Sequence, residues 1–428
     1  MARRDAAGTV ETVCRMESAR IIAGVTRIVR DVGIAEELLQ DAVVAALEQW
    51  PETGVPANPA AWLTATAKHR AIDLVRRRER YARKLGEMGR DLENGPQHGV
   101  DELDAIDPYA DDINDDMLRL VFTACHPVLS AEARIALTLK LLGGLTTPEI
   151  ARAFLAPEAT VAQRIVRAKR TLARKNVPFE VPSGPDRAAR LDSVLEVIYL
   201  IFNEGYTATE GDDWLRPALC EDALRLARVL AGLMPEEPEV HGLAALLELQ
   251  AARSAARTGP SGEPVLLAEQ NRTRWNRLLI RRGFAALARA ESVASGAHGP
   301  YVLQAAIAAC HAHAPTYQDT DWPRIAALYD LLAARTPSPV VELNRAVAVS
   351  MAHGPEHALP LVTALAADPA LRDYHLLFSV RADLLSRLGR TAEARADFEH
   401  AAALTRNNRE RALLLARAAR CAGSHGAT

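Results

Sequence analysis

Apolar residues recur at helical spacing along nearly the whole chain. Ile21, Ile22, Val25, Ile28 and Val29 form one stripe, and Leu38, Leu39, Ala42, Val43, Ala46 and Leu47 form another within residues 35–50. Positions three and four apart share a helix face, so each stripe predicts an amphipathic helix. Gly33 is read as the interruption between them, and residues 51–59, rich in Pro, Gly and Asn, as a loop. A third helix is predicted from Pro59, with Trp62, Leu63, Thr66, Ala67, Ile72 and Leu74 or Val75 facing inward. Leu118, Val121 and Phe122 precede a break at His126-Pro127, and a further helix is read over residues 131–142.

Residues 145–175 read as a helix-turn-helix. Thr147 is read as the N-cap of the first helix, with Pro148 at the first helical position, where a missing N–H is tolerated. Ile150, Ala151 and Phe154 share one face, residues 155–157 break the run, and Pro157-Glu158 opens the second helix. There Val161, Ile165, Ala168 and Leu172 form the buried stripe, opposite Thr160, Gln163, Arg164, Arg167, Arg170 and Arg174. From Thr160 to Lys175 there are six Lys/Arg and no acid. Such a face suits a DNA major groove, where Arg forks onto guanine, Gln onto adenine, and the remaining cations meet phosphates. A solvated basic helix in an ordinary bundle has the same composition.

The tail is helical and repetitive. Residues 177–185 read as a proline-rich linker, and residues 191–204 as a strongly apolar helix that requires a packing partner. Ala346, Val349, Ala358, Val362 and Leu365 recur at an offset of 36 as Ala382, Leu385, Ala394, Phe398 and Ala401. Weaker copies centre on residues 223–235 and 326–337. This small–large–small spacing is that of tetratricopeptide-like helix pairs, slightly longer than their usual ~34 residues, which stack into a solenoid with a concave face. That face is expected to bind protein or peptide, or to pack on its own chain.

Composition narrows the class. The 428 residues exceed one ordinary domain, and 49% hydrophobic with 25% charged residues predicts a soluble globular protein. Alternating β-branched stretches are nearly absent, so the fold class is all-α. The net charge of −3 does not itself suggest a nucleic-acid binder. Its distribution does: residues 66–90 hold nine Lys/Arg against three acids, whereas residues 91–116 hold ten acids and no Lys or Arg. The latter segment is read as a flexible tether. The five cysteines are scattered without a C-x-x-C pair, so neither a disulfide frame nor a metal site is expected. No signal peptide or membrane-length apolar run is read, and the cytoplasm is the expected compartment.

Two basic helical domains joined by an acidic tether resemble a bacterial extracytoplasmic-function (ECF) sigma factor of the sigma-70 family. Residues 35–42 (AEELLQDA) resemble its region 2.2, and Trp62-Leu63 with residues 70–77 (RAIDLVRR) resemble regions 2.3 and 2.4. Gly144, Leu145 and Thr146 with Glu149, Ile150 and Ala151, then Thr160, Val161, Arg164, Arg167 and Ala168, resemble region 4.2. Two departures stand out. Leu155 occupies the turn where the family usually has Gly, and residues 126–129 interrupt the preceding helix where many relatives have a Leu-Pro turn.

The resemblance implies a transcription initiation factor with no covalent chemistry and no cofactor. Leu38, Gln40 and Asp41 would bind core RNA polymerase, at its β′ clamp helices, with the β flap as a further contact of the factor. Lys68, Arg70, Asp73, Arg76 and Arg77 would meet −10 promoter DNA. Thr160, Gln163, Arg164, Arg167 and Arg170 would read the −35 element. The tether would run through polymerase, and the tail resembles the tetratricopeptide-like extension of one ECF subgroup. The resulting division is sigma region 2 over 1–90, tether 91–116, region 4 over 117–177, linker 178–190 and extension 191–428. An operator-binding regulator with a repeat-based sensor accounts for residues 145–175 and the tail, but leaves residues 35–80 without a purpose. An enzyme or ligand-binding helical protein with solvated Arg patches is the third reading. Asn271 to Arg277 with Arg281 and Arg282 forms another basic, aromatic-containing patch, which reads as a solvated helix face or as a nucleic-acid contact. His311, His313, Tyr317, Asp319, Asp321 and Trp322 form a polar cluster without a nucleophile–base pair or metal spacing.

Overall fold

A computed structural model describes residues 2–90, 113–154, 156–184, 186–207, 210–211 and 214–423. Most of the acidic segment, residues 91–112, and the turn residue Leu155 lie outside the described residues. The chain divides into two compact units, Met1–Val197 and Ile198–Thr428. Among the described residues its regular structure is α-helical, with four short 3-10 turns, one two-residue strand pairing and one isolated β-bridge.

In the first unit, α1 (Ala2–Val29), α2 (Val32–Thr53) and α3 (Pro59–Arg90) pack together, followed by α4 (Ile113–Ala124), α5 (Ala131–Leu141), α6 (Thr147–Ala153) and α7 (Glu158–Arg174). The α1 stripe is buried as the spacing predicts, from Ile21 to Val29. The break after α1 comes earlier than Gly33. Arg30 adopts a positive φ of 58°, and the Asp31 side chain caps α2 by accepting from Ile34 N–H at 3.0 Å. Gly33 therefore sits inside the first turn, because a carboxylate N-cap decides the start more strongly than a glycine does. Helix α2 also runs on through Pro51 to Thr53. Trp50 and Trp62 meet edge to face at 5.5 Å, tying the end of α2 to the start of α3. Asn58 caps α3 by accepting from Ala61 N–H at 3.0 Å.

Helix α4 begins inside the acidic stretch. Asp116 is buried and pairs with Arg27 of α1 (3.2 Å) and Arg119 (2.8 Å), so α4 is pinned to α1. Burial nevertheless raises the Asp116 carboxyl above its ordinary value, the two arginines only partly offsetting it. Helix α8 (Asp186–Tyr206) starts in the first unit. Its Arg190 donates to Phe122 O at 3.0 Å and its Ser193 hydroxyl to Cys125 O at 2.6 Å. Arg134 of α5 donates to the same hydroxyl and pairs with Glu196 at 3.0 Å. These bonds satisfy carbonyls at the end of α4 that the helix itself leaves open.

The second unit holds the end of α8, then α9 (Pro217–Leu233), α10 (Pro238–Ala251), α11 (Arg277–Val293), α12 (Pro300–His313), α13 (Trp322–Arg335), α14 (Pro339–His353), α15 (Pro355–Leu365), α16 (His375–Arg387), α17 (Thr391–Leu404) and α18 (Asn408–Gly423). From α9 to α18 each helix packs against the next in the chain, as stacked helix pairs require. The small residues of the repeat, Ala346, Ala358, Ala382, Ala394 and Ala401, are all fully buried, with Val362 and Phe398 as their large partners. Strand β1 (Glu210–Gly211) pairs in parallel with β2 (Arg406–Asn407), so the first segment of this unit is bonded to its last. No described helix is long and apolar enough to cross a membrane.

Candidate nucleic-acid interface

The helix-turn-helix is built from α6 and α7. Gly144, at φ 71°, ends the preceding segment, and Leu145 N–H reaches back to Leu139 O at 3.1 Å. The cap of α6 lies one residue before the predicted Thr147. Thr146 Oγ1 accepts from Glu149 N–H (3.3 Å), while the Glu149 carboxylate accepts from Thr146 N–H (2.8 Å). This is a reciprocal capping box: Glu149, three residues on, selects Thr146 over its neighbour. The turn is bridged by Phe154 N–H to Ile150 O (3.1 Å) and Ala156 N–H to Ala151 O (2.9 Å).

In α7 the buried residues are Val161, Ile165, Ala168 and Leu172, the predicted stripe. Thr160, Gln163, Arg167, Arg170 and Arg174 are exposed and Arg164 is half-buried, beside Glu132 of α5. The unbroken row of cations on one face projects donors that fit phosphates and guanine edges. Lys169 departs from this row. It pairs with the buried carboxylate of Glu36 on α2, which also meets Lys140 of α5 at 3.6 Å. The helix-turn-helix is thus held against α2 in this structure.

On α3, Asp73, Arg76, Arg77, Arg78, Arg80 and Tyr81 are exposed. Arg70 is half-buried and pairs with Asp41 of α2 at 3.5 Å, an exposed pair that adds little stability. Lys68 lies inward at 9% exposure, its stem against Gly24. The reason is periodicity: Lys68 follows Ala67 on the face that packs against α1, while Arg76 and Arg77 fall on the opposite side.

On α2, Leu38 is 9% exposed and belongs to the core, whereas Gln40 and Asp41 are exposed. Two apolar residues share their face, Val44 at 52% and Leu47 at 42% exposure. Leu47 was expected in the inward stripe, and Val44 was not singled out. Counting four residues on from Gln40 reaches Val44, and three more reach Leu47. The outward face of α2 is therefore mixed, with Glu37, Gln40, Asp41 and Glu48 around Val44 and Leu47.

Arg272 donates to His311 O, to Ala314 O at 2.6 Å and to Thr320 Oγ1 at 3.4 Å, locking the loop after α12. Burial and the nearby Arg253 and Arg272 lower the His311 pKa to about 4. Among the described residues no three His, Cys, Asp or Glu side chains are grouped as metal ligands.

Residues 15–81 match the family model for sigma-70 region 2, and residues 119–172 that for sigma-70 region 4. The chain belongs to the sigma-70 family. It is of the ECF type, and its two matched regions coincide with α1–α3 and α4–α7. Residues 190–291 match a family of unknown function (DUF6596). An ECF RNA polymerase sigma factor SigK of Mycobacterium sp. (strain KMS) is 28% identical over 155 residues, covering 34% of this chain and 72% of the relative. One from Mycolicibacterium vanbaalenii is 27% identical over 158 residues, 34% of this chain and 71% of the relative. An uncharacterized protein of Rhizobium meliloti (strain 1021) is 45% identical over 389 residues, 91% of this chain and 90% of the relative. The two-region core plus the helical extension therefore recurs as one architecture.

Proposed function

We propose that this chain binds core RNA polymerase and directs initiation at promoters it reads through −10 and −35 contacts. The observation that carries this is the exposed cationic row of α7 over a fully buried apolar stripe, together with a second Arg-rich helix, α3. On α7, Thr160, Gln163, Arg164, Arg167 and Arg170 read −35 bases and backbone. On α3, Arg76, Arg77 and Asp73, with Arg70 released from Asp41, meet the −10 element. Lys68 supports α3 from within. The outward face of α2 docks on polymerase through Gln40 and Asp41, with Val44 and Leu47 as the apolar centre such interfaces carry. The pairing of Lys169 with Glu36 holds region 4 on region 2 in the free chain and releases when polymerase separates them. The division of the chain into regions 1–90, 91–116 and 117–177 fits this role, with the acidic segment as a spacer of negative charge inside polymerase. The extension acts as a regulatory or polymerase-binding surface.

The test is reconstituted transcription. Core polymerase with the chain should start at a defined set of sites, mapped by sequencing RNA 5′ ends. An Arg76→Ala, Arg77→Ala variant should bind polymerase normally but lose most of this initiation. Start sites unchanged from core polymerase alone would contradict the proposal.

A further inference from the structure

The basic patch at the start of α11 is split by the fold into two parts with different fates. Trp275 is buried, with Arg272 stacked on its ring at 4.6 Å and Arg253 at 5.5 Å. Asn276 N–H donates to Ala252 O at 2.8 Å, and the Asn276 side chain caps α11 by accepting from Leu278 N–H (3.0 Å) and Leu279 N–H (3.2 Å). Asn271 similarly accepts from Thr273 N–H at 3.0 Å. These contacts make a rigid platform. Arg274, Arg277, Arg281 and Arg282 project from it, all exposed, around the exposed Leu278.

Among the described residues no carboxylate pairs with any of the four within ion-pair distance. Other arginines of the same unit are treated differently. Arg289, on the same helix, pairs with Glu236 at 2.7 Å; Arg228 pairs with Glu248 at 2.7 Å and Arg381 with Asp397 at 2.6 Å. Helix α11 carries no acid in its first turn, a feature it shares with α9, α12, α13 and α16, so no carboxylate of its own offsets Arg277 there. The four guanidiniums repel one another, and Arg277, in the first turn, also meets the positive end of the helix; Arg274 reaches a carbonyl, Thr258 O at 3.5 Å, but no carboxylate. Among the described residues no carboxylate offsets that repulsion, whereas a polyanion would.

We infer that Arg274, Arg277, Arg281 and Arg282 form a second DNA-contacting surface, one that grips the phosphate backbone of duplex DNA without reading its sequence. The assignment to DNA, rather than to an acidic protein, rests on the sigma reading above, which makes promoter DNA the polyanion at hand. Arginine forks bind phosphate oxygens in pairs, and a helix edge fixed by buried stacking presents them in one geometry. The surface adds affinity and salt dependence but no base discrimination.

The experiment titrates the full chain with a labelled duplex of arbitrary sequence over a range of salt. It compares the wild type with an Arg277→Gln, Arg281→Gln, Arg282→Gln variant and with Arg289→Gln as a control on the same helix. Each lost phosphate contact should flatten the slope of log K against log salt by about 0.9, so the triple variant should lose up to ~2.7, with Arg289→Gln unchanged. Unaltered melting of the triple variant confirms that its fold is intact. An unchanged salt slope overturns the proposal, as does a loss confined to polymerase binding, which would assign the patch to a protein partner. Polymerase binding by the wild type is measured separately, so a failed sigma reading is told apart from a failed patch.

Discussion

Arg164 shows how much one side chain carries. It sits half-buried on the cationic face of α7, where its charge helps to lower the Glu132 carboxyl of α5. Arg164→Ala should reduce discrimination at one −35 position by ~1–3 kcal/mol, read from binding of the polymerase complex to promoters differing at single bases. An equal loss on all sequences would make it a phosphate contact instead. His311 and His126 give a pH prediction. Both are lowered from 6.5 to about 4, by burial first and then by neighbouring arginines. The unfolded chain takes up these protons below pH 6.5 but the folded chain does not until near 4, so stability falls as pH drops through that window. Calorimetry from pH 7 to 4.5 should show the melting of each unit shifting down, and a His126→Gln, His311→Gln variant should be less sensitive. Leu38 and Lys68, both placed at interfaces by the resemblance, are buried in this structure and are boundary cases. Each lies one step from an exposed position on its helix, and periodicity fixes a face to about that precision.

At the scale of elements, caps and buried ion pairs decide what the hydrophobic pattern leaves open. The stripes of α1 and α7 were legible because their burial follows period alone. The end of α1 and the start of α6 were not, because they depend on which oxygen captures the free N–H groups, Asp31 in one and Thr146 with Glu149 in the other. The pairing of Glu36 with Lys140 and Lys169 was invisible in the sequence, since 133 residues separate Glu36 from Lys169. Glu36→Ala strands two partly buried ammonium groups and should destabilise the first unit by about 3 kcal/mol. Urea unfolding reads this, and an unchanged midpoint would mean the pair is incidental. Helix α8 makes a related case. Ser193→Ala removes the donor to Cys125 O and should lower stability by ~1–3 kcal/mol, the penalty for a buried carbonyl left without its partner. By the same argument a chain ended at Lys175 would strip region 4 of contacts that α8 supplies, so region 4 is best studied with residues 176–197 attached.

On the scale of the whole molecule, the all-α class and the repeat in the tail were both readable. The repeat was legible because small residues must recur where helices cross closely, and Ala346, Ala358, Ala382 and Ala394 do so with no exposure at all. The closing bond between β1 and β2 was not, because it joins residues 196 positions apart through only two residues on each side. A relative 45% identical over 389 residues, 91% of this chain and 90% of its own length, aligns with both the sigma regions and the extension.

The central claim is that this chain is a polymerase subunit rather than a free-standing DNA binder. The most direct measurement is binding of the full chain to purified bacterial core RNA polymerase, beside an Asp41→Ala, Leu47→Asp variant altered only on the outward face of α2. A stable complex with the wild type, weakened at least tenfold in the folded variant, is the predicted result. No complex with the wild type would contradict the account and leave an operator-binding regulator as the reading to pursue.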